Sequence, residues 1–70
     1  MRTSSQIQCD LFIVEILFFS AELHYGSEIY RVHAAHWYAA EQQGLQMSLA
    51  SVYDNERIPD LRRTATTRQP

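Results

Sequence analysis

Three histidines near the middle of the chain are the residues best suited to bind a metal ion. His33 and His36 are three positions apart, so on a helix both imidazoles would lie on one turn. Further ligands would have to come from His24, Cys9 or Glu28. We therefore take His24, His33 and His36 as candidate metal ligands. The alternative is that His33 and His36 are partly buried packing residues.

A second set of residues could bind nucleic acid. Between residues 57 and 70 there are four arginines and one aspartate, and all six cationic residues of the chain are arginine rather than lysine. Arginine makes planar, bidentate contacts. Arg57, at the start of this stretch, could pair through its guanidinium with guanine or a phosphate, and Asn55, just before it, could pair through its amide with adenine. The alternative is that the basic end is an ordinary solvated tail.

Size and composition limit what such residues can be part of. The chain has 70 residues, a formal net charge of −2 and one cysteine, Cys9. A domain this small buries only about 60% of the surface that its unfolded chain exposes, which excludes large catalytic scaffolds. A single thiol excludes an internal disulfide and favours a reducing compartment. We expect a non-enzymatic, cytoplasmic protein without a membrane partner, because the longest apolar run, Leu11–Phe19, is too short to cross a bilayer.

The apolar residues that would position these groups recur at helical spacing in the first half of the chain. Positions three and four apart predict a first helix over about residues 5–21, although the β-branched and aromatic residues of Leu11–Phe19 would also suit a buried strand. A second helix is predicted to start at Ser27, which can cap its first turn, and to end near Gln43. Gly44 would close it.

A third, short helix is predicted from Ser48 to about Arg57, because Pro59 cannot continue it. The prediction is thus an all-α fold. Residues 1–58 would form a three-helix helix-turn-helix core, and residues 59–70 a polar basic tail. A plain three-helix bundle is the alternative.

The start of the third helix resembles a known family. Ser48-Leu49-Ala50-Ser51-Val52-Tyr53 is similar to the (S/G)-L-A-(T/S)-V-Y recognition-helix motif of the ferric uptake regulator (Fur) family. Two upstream segments, Gly26–Tyr30 and Ile13–Phe18, resemble the small-x-(E/D)-(I/L)-Y and I-L-E-L-L-F segments of that family. The similarity covers about residues 7–55.

This resemblance implies a winged-helix-like DNA-binding domain of a metal- or redox-responsive repressor, with zinc or iron as possible metals. Its recognition helix would be residues 48–57, and the residues that follow lack the alternation of a wing. Ser51 would contact a phosphate, Tyr53 a base edge or a thymine methyl group, and Ser48 the DNA backbone. The expected partners are duplex DNA and a second copy of the chain. The alternative function is a small helical protein–protein interaction module without DNA binding.

Overall fold

The computed structural model describes residues 9–70, which form a three-stranded antiparallel sheet with one helix packed on one face. The elements are β1 (Asp10–Ser20), β2 (Leu23–Ala34), α1 (Trp37–Met47) and β3 (Leu61–Arg68), with one 3-10 turn at Ser48–Ala50. The strand order is β2-β1-β3. The predicted all-α, three-helix helix-turn-helix core is therefore wrong. No helix among residues 9–70 is long and apolar enough to cross a membrane.

Strand β1 occupies the segment predicted as the first helix, whose first residues, 5–8, lie outside the described part of the chain. Its even-numbered residues Phe12, Val14, Ile16 and Phe18 are buried beneath α1. Its odd-numbered residues are also mostly apolar, so the sequence shows no polar–apolar alternation. An antiparallel strand with one covered face is expected to alternate polar and apolar residues, and the apolar odd-numbered residues of β1 depart from that pattern. Without alternation, the same residues also satisfy helical spacing.

Strand β2 replaces the first half of the predicted second helix, residues 27–34. Its pairing with β1 runs from Ser20↔Leu23 to Asp10↔Ala34 and is interrupted by a bulge at Tyr25, because Phe18 faces Gly26 and Phe19 faces His24. Ala21, in the two-residue connection between the strands, has a φ of 56°. Ser27 lies within the strand and caps no helix. Three β-branched or aromatic residues favour the strand: Ile29, Tyr30 and Val32.

Helix α1 begins ten residues later than predicted and includes the glycine that was expected to end it. The Nδ1 atom of His36 accepts a hydrogen bond from the Ala39 N–H at 3.3 Å and caps the first turn. Gly44 is buried within the helix. A Cβ atom at Gly44 would lie 2.5 Å from Cγ1 of Val14, so glycine lets the helix approach the central strand closely.

The end of the chain also differs from the prediction. The third helix is reduced to the 3-10 turn Ser48–Ala50, after which Ser51 is extended. Residues 61–68, predicted as part of a polar tail, form β3 and pair with β1 from Ser20↔Leu61 to Ile13↔Arg68. Exposure alternates along β3, but its inward-facing residues are Leu61, Arg63, Ala65 and Thr67, which do not form an apolar stripe.

Candidate functional site

The two faces of the sheet are chemically different. The covered face carries the buried row of β1 and the helix. The open face carries the odd-numbered residues of β1, and no element among residues 9–70 packs on it. Its central row consists of four apolar residues and one carboxylate: Leu11, Ile13, Glu15, Leu17 and Phe19.

The outer rows of the open face are mostly polar and include three arginines. In register with the central row, β2 contributes His33, Arg31, Ile29, Ser27 and His24, and β3 contributes Arg68, Thr66, Thr64 and Arg62. The face thus has an apolar centre with exposed arginines on both sides. Arg31, Arg62 and Arg68 are all exposed.

One residue of the apolar row, Ile13, is buried between two arginines. Ile13 is only 7% exposed although no helix or strand of the described chain packs over it. It pairs with Arg31 on one side and Arg68 on the other. Arginine side chains bury their aliphatic stems along apolar surface and keep the guanidinium in water. We attribute the burial of Ile13 to these two stems.

The open-face guanidiniums are weakly engaged within the protein. Nη1 of Arg68 lies 3.9 Å from Oε1 of Glu15, a loose ion pair between largely exposed groups. Nη2 of Arg62 donates to the Ala21 carbonyl at 3.3 Å. Exposed contacts of this kind contribute little to stability, so the guanidiniums can exchange them for an external anion.

Two solvent-open depressions lie at the end of the sheet where β1 turns into β2 and β3 begins. One is lined by Ala21, Glu22, Asp60, Leu61 and Arg62, and the other by Phe19, Glu22, Arg62, Arg63 and Thr64. They share Arg62 and Glu22. Phe19 is half-buried there, with its ring centroid 5.5 Å from that of His24. This end of the open face offers an aromatic surface beside a guanidinium.

Two of the residues predicted to bind DNA through the Fur-like motif instead make hydrogen bonds inside the protein. Ser48 is fully buried, and its Oγ donates to the Leu45 carbonyl at 2.6 Å and accepts from Nη1 of Arg63 at 2.8 Å. Oγ of Ser51 donates to Oε2 of Glu28 at 2.7 Å and accepts from the Tyr53 N–H at 3.1 Å. Neither hydroxyl faces outward as the recognition-helix hypothesis requires.

Tyr53, Asn55 and Arg57 lie in the connection between α1 and β3. Tyr53 is half-buried, with its ring centroid 5.5 Å from that of Phe18. Oδ1 of Asn55 accepts from the Arg57 N–H at 2.8 Å, and both residues are exposed. The two apolar residues of the same motif, Leu49 and Val52, are exposed by 56% and 84%, so neither anchors the motif in the core.

The candidate metal ligands are separated. His24 and His33 lie near opposite ends of β2, and His36 caps α1. Among residues 9–70, no group of three or more histidine, cysteine, aspartate or glutamate side chains is close enough to hold a metal ion. The two imidazoles would lie on one turn only if a helix ran through both His33 and His36. In the structure His33 lies in β2 and His36 precedes α1, so they share no helical turn.

The covered face holds a polar cluster around Arg63, at the end of α1. Nη2 of Arg63 lies 2.9 Å from Oδ1 of Asp54, and its Cζ lies 5.1 Å from the centroid of the Phe18 ring. Nearby, burial raises the pKa of Tyr30 above its ordinary value of 10.0, and the negative charge of Glu28 raises this pKa further. Ser51 and Arg63 partly oppose that shift. This cluster attaches the loop after α1 to the sheet.

Sequence reasoning missed the grouping of Arg31, Arg62 and Arg68. The signal was the alternation Arg62-x-Thr64-x-Thr66-x-Arg68, which places four polar residues on one face once the segment is a strand.

Comparison of the chain with protein-family models, with curated proteins and with solved structures finds no match. The Fur resemblance therefore stays a prediction.

Proposed function

We propose that this protein is a non-enzymatic module that binds single-stranded nucleic acid on the open face of its sheet. The observation that carries the proposal is the apolar central row of β1 flanked on both sides by exposed arginines. Neighbouring strands lie about 4.8 Å apart, so the two arginine rows are about 10 Å apart. A single strand can lie between them.

The chemistry of the two kinds of row suits two parts of a nucleotide. Guanidiniums bind phosphates, and they release counterions when they do so. Apolar and aromatic side chains offer a surface on which base faces can stack, as Phe19 and its neighbour His24 do at one end of the face. A single strand exposes both its phosphates and its base faces.

Duplex DNA fits this face less well. A duplex presents phosphates and groove edges, while its base faces are stacked inside. Pressing phosphates against the apolar row of β1 would remove them from water without a compensating contact. The Fur resemblance implies duplex binding through residues 48–57 instead, and that alternative supplies a discriminating control because Arg57 lies outside the sheet.

The proposal is tested by fluorescence anisotropy with a labelled oligodeoxythymidine strand and a labelled duplex of the same length, across a salt series. We expect the wild type to prefer the single strand. The combined Arg31→Gln, Arg62→Gln and Arg68→Gln variant should weaken binding at least about tenfold. It should also lower the slope of log affinity against log salt by about 2, since each lost phosphate contact contributes about 0.7.

Phe19→Ala should weaken single-strand binding by about 1–3 kcal/mol if the ring stacks on a base. Arg57→Gln is the matched control, an exposed arginine in the loop, and should leave single-strand binding unchanged. Circular dichroism verifies the fold of each variant. Preference for the duplex together with a loss on Arg57→Gln would favour duplex binding through residues 48–57, and no binding at low salt would reject both.

A further inference from the structure

The two outer edges of the sheet are protected to different degrees. Because β1 is central, the outer edges of β2 and β3 are both unpaired among residues 9–70. Three of the eight residues of β3 are arginine, whereas the twelve residues of β2 include one arginine and no proline. Long edge strands with few charges and no proline pair readily with other chains. The edge of β2 is therefore the more open of the two.

The stretch of β2 available for pairing is regular. The bulge lies at Tyr25, and the pairing with β1 is uninterrupted from Gly26 to Ala34. Within it, Ile29 is 58% exposed on the open face. An exposed β-branched residue in the middle of an unprotected edge is the side chain that a further strand would cover.

We propose that a second copy of this chain pairs antiparallel with β2, with Ile29 on the two-fold axis, to give a continuous six-stranded sheet. This proposal stands on the edge strand and is independent of nucleic-acid binding.

Among the registers centred on residues 27–31, the charges and the bulge of β2 favour this one. Two copies can extend one sheet about a two-fold axis perpendicular to it, and directly opposite residues then point to the same face. Only residues an even number of positions apart share a face, so the residue on the axis lies opposite the same residue of the second copy. Glu28 or Arg31 on the axis would place like charges opposite each other, which is destabilising. Tyr30 on the axis would place the carboxylate of Glu28 opposite the apolar side chain of Val32. Ser27 on the axis would bring the bulge at Tyr25 into the paired stretch.

With Ile29 on the axis, the charge conflicts disappear, and residues 26–32 of the two copies pair without reaching the bulge at Tyr25. Ile29 packs on Ile29 of the second copy, Arg31 lies opposite Ser27, and Glu28 lies opposite Tyr30. β-branched pairs stabilise neighbouring strands, and neither charge meets its like. Both open faces then point to the same side, so the arginines of two copies line one continuous surface.

Disulfide trapping in the absence of nucleic acid tests the register. In a Cys9→Ser background, which removes the exposed native thiol, Ile29→Cys is mixed with oxidised glutathione. Paired residues on adjacent antiparallel strands lie about 4.5–5.5 Å apart at Cα, within disulfide range. We expect Ile29→Cys to give a covalent dimer on a non-reducing gel, and a dimer that fails to form would overturn the proposal.

Two matched variants test the register of the pairing and the choice of edge strand separately. In Ser27→Cys the two thiols would be offset by four residues, about 13 Å along the strand, so no dimer should form. Thr66→Cys, on the same face of β3, should also remain monomeric. Equal trapping of Ser27→Cys would refute the register, and trapping of Thr66→Cys in place of Ile29→Cys would refute the edge.

A charge-swap experiment gives a second, non-covalent measurement. Ile29→Lys and Ile29→Glu each place like charges on the axis, so each should be monomeric by size-exclusion chromatography with light scattering, where the wild type is dimeric. An equimolar mixture of the two variants should restore a dimer, because an ammonium on one chain then lies opposite a carboxylate on the other and the two attract. A monomeric wild type, or a mixture that stays monomeric, would contradict the proposal.

Discussion

The covered and open faces of the sheet are built from alternate residues of the same strand, but they serve different purposes. On the covered face, Val14, Ile16 and Phe18 are fully buried beneath α1. On the open face, Leu17 and Phe19 are half-buried and have no element over them among residues 9–70. Nearly identical hydrophobicity thus gives a core on one side and an accessible surface on the other.

The arginines of β3 show the same contrast. Arg63, on the covered face, contacts Asp54, Ser48 and the ring of Phe18. Its neighbour Arg62 points to the open face and makes a long hydrogen bond to a backbone carbonyl. Since the two residues are adjacent in sequence, only the strand determines which of them packs against the core and which points to the open face.

The largest difference should be between Phe18 and Phe19. Phe18→Ala removes a fully buried ring and leaves a cavity, so we expect a loss of about 3–5 kcal/mol in the free energy of unfolding. Phe19→Ala should cost about 1 kcal/mol. Urea denaturation followed by circular dichroism measures both. Equal losses would show that the open face is covered in solution.

A smaller difference should separate Arg63 from Arg62. Arg63→Met leaves the half-buried Asp54 carboxylate and the buried Ser48 hydroxyl without one of their partners, and we expect a loss of about 1–3 kcal/mol. Arg62→Met, its matched control on the open face, should change stability by no more than about 0.5 kcal/mol. Thermal and urea unfolding provide the measurement, and a reversed order would contradict the assignment of the two faces.

The smallest effect should be the pH dependence contributed by Tyr30. Because its pKa is raised in the folded state, the unfolded chain loses this proton first as the pH rises. The contribution of Tyr30 is fully present below about pH 10 and is lost as the pH rises through the folded-state pKa. Tyr30→Phe should therefore flatten the fall in unfolding free energy above pH 10. Tyr38→Phe, which changes an exposed tyrosine, is the control.

Some of the fold was accessible from the sequence. The pattern predicted a small domain and the apolar character of Leu11–Phe19. Of the helix predicted from Ser27 to about Gln43, only residues 37–43 are helical. It did not distinguish strand from helix for β1, because a strand with two apolar faces lacks the period of two. For β3, the inward-facing Arg63 and Thr67 hid the alternation. Arg63 donates a hydrogen bond to Asp54, in the loop after α1, and Thr67 donates one to Glu41, in α1. Neither partner can be inferred from the sequence of β3.

Less of the candidate site than of the fold could be predicted from the sequence. The sequence drew attention to residues 48–57 because of local motif similarity, and to the histidines because of their spacing. The structure uses Ser48 and Ser51 internally and separates the histidines. It also groups Arg31 with Arg62 and Arg68, which are some thirty or more positions away in sequence, through their common neighbour β1.

Composition alone determined the size class, the charge and the amount of apolar surface that this chain must bury. Only the tertiary structure decided which apolar residues are covered and which arginines share a face. The physical reason is that β1 has two apolar sides while residues 9–70 contain a single α-helix, whose close approach at Gly44 fixes the side that is buried. The other side is left to solvent and to whatever binds there.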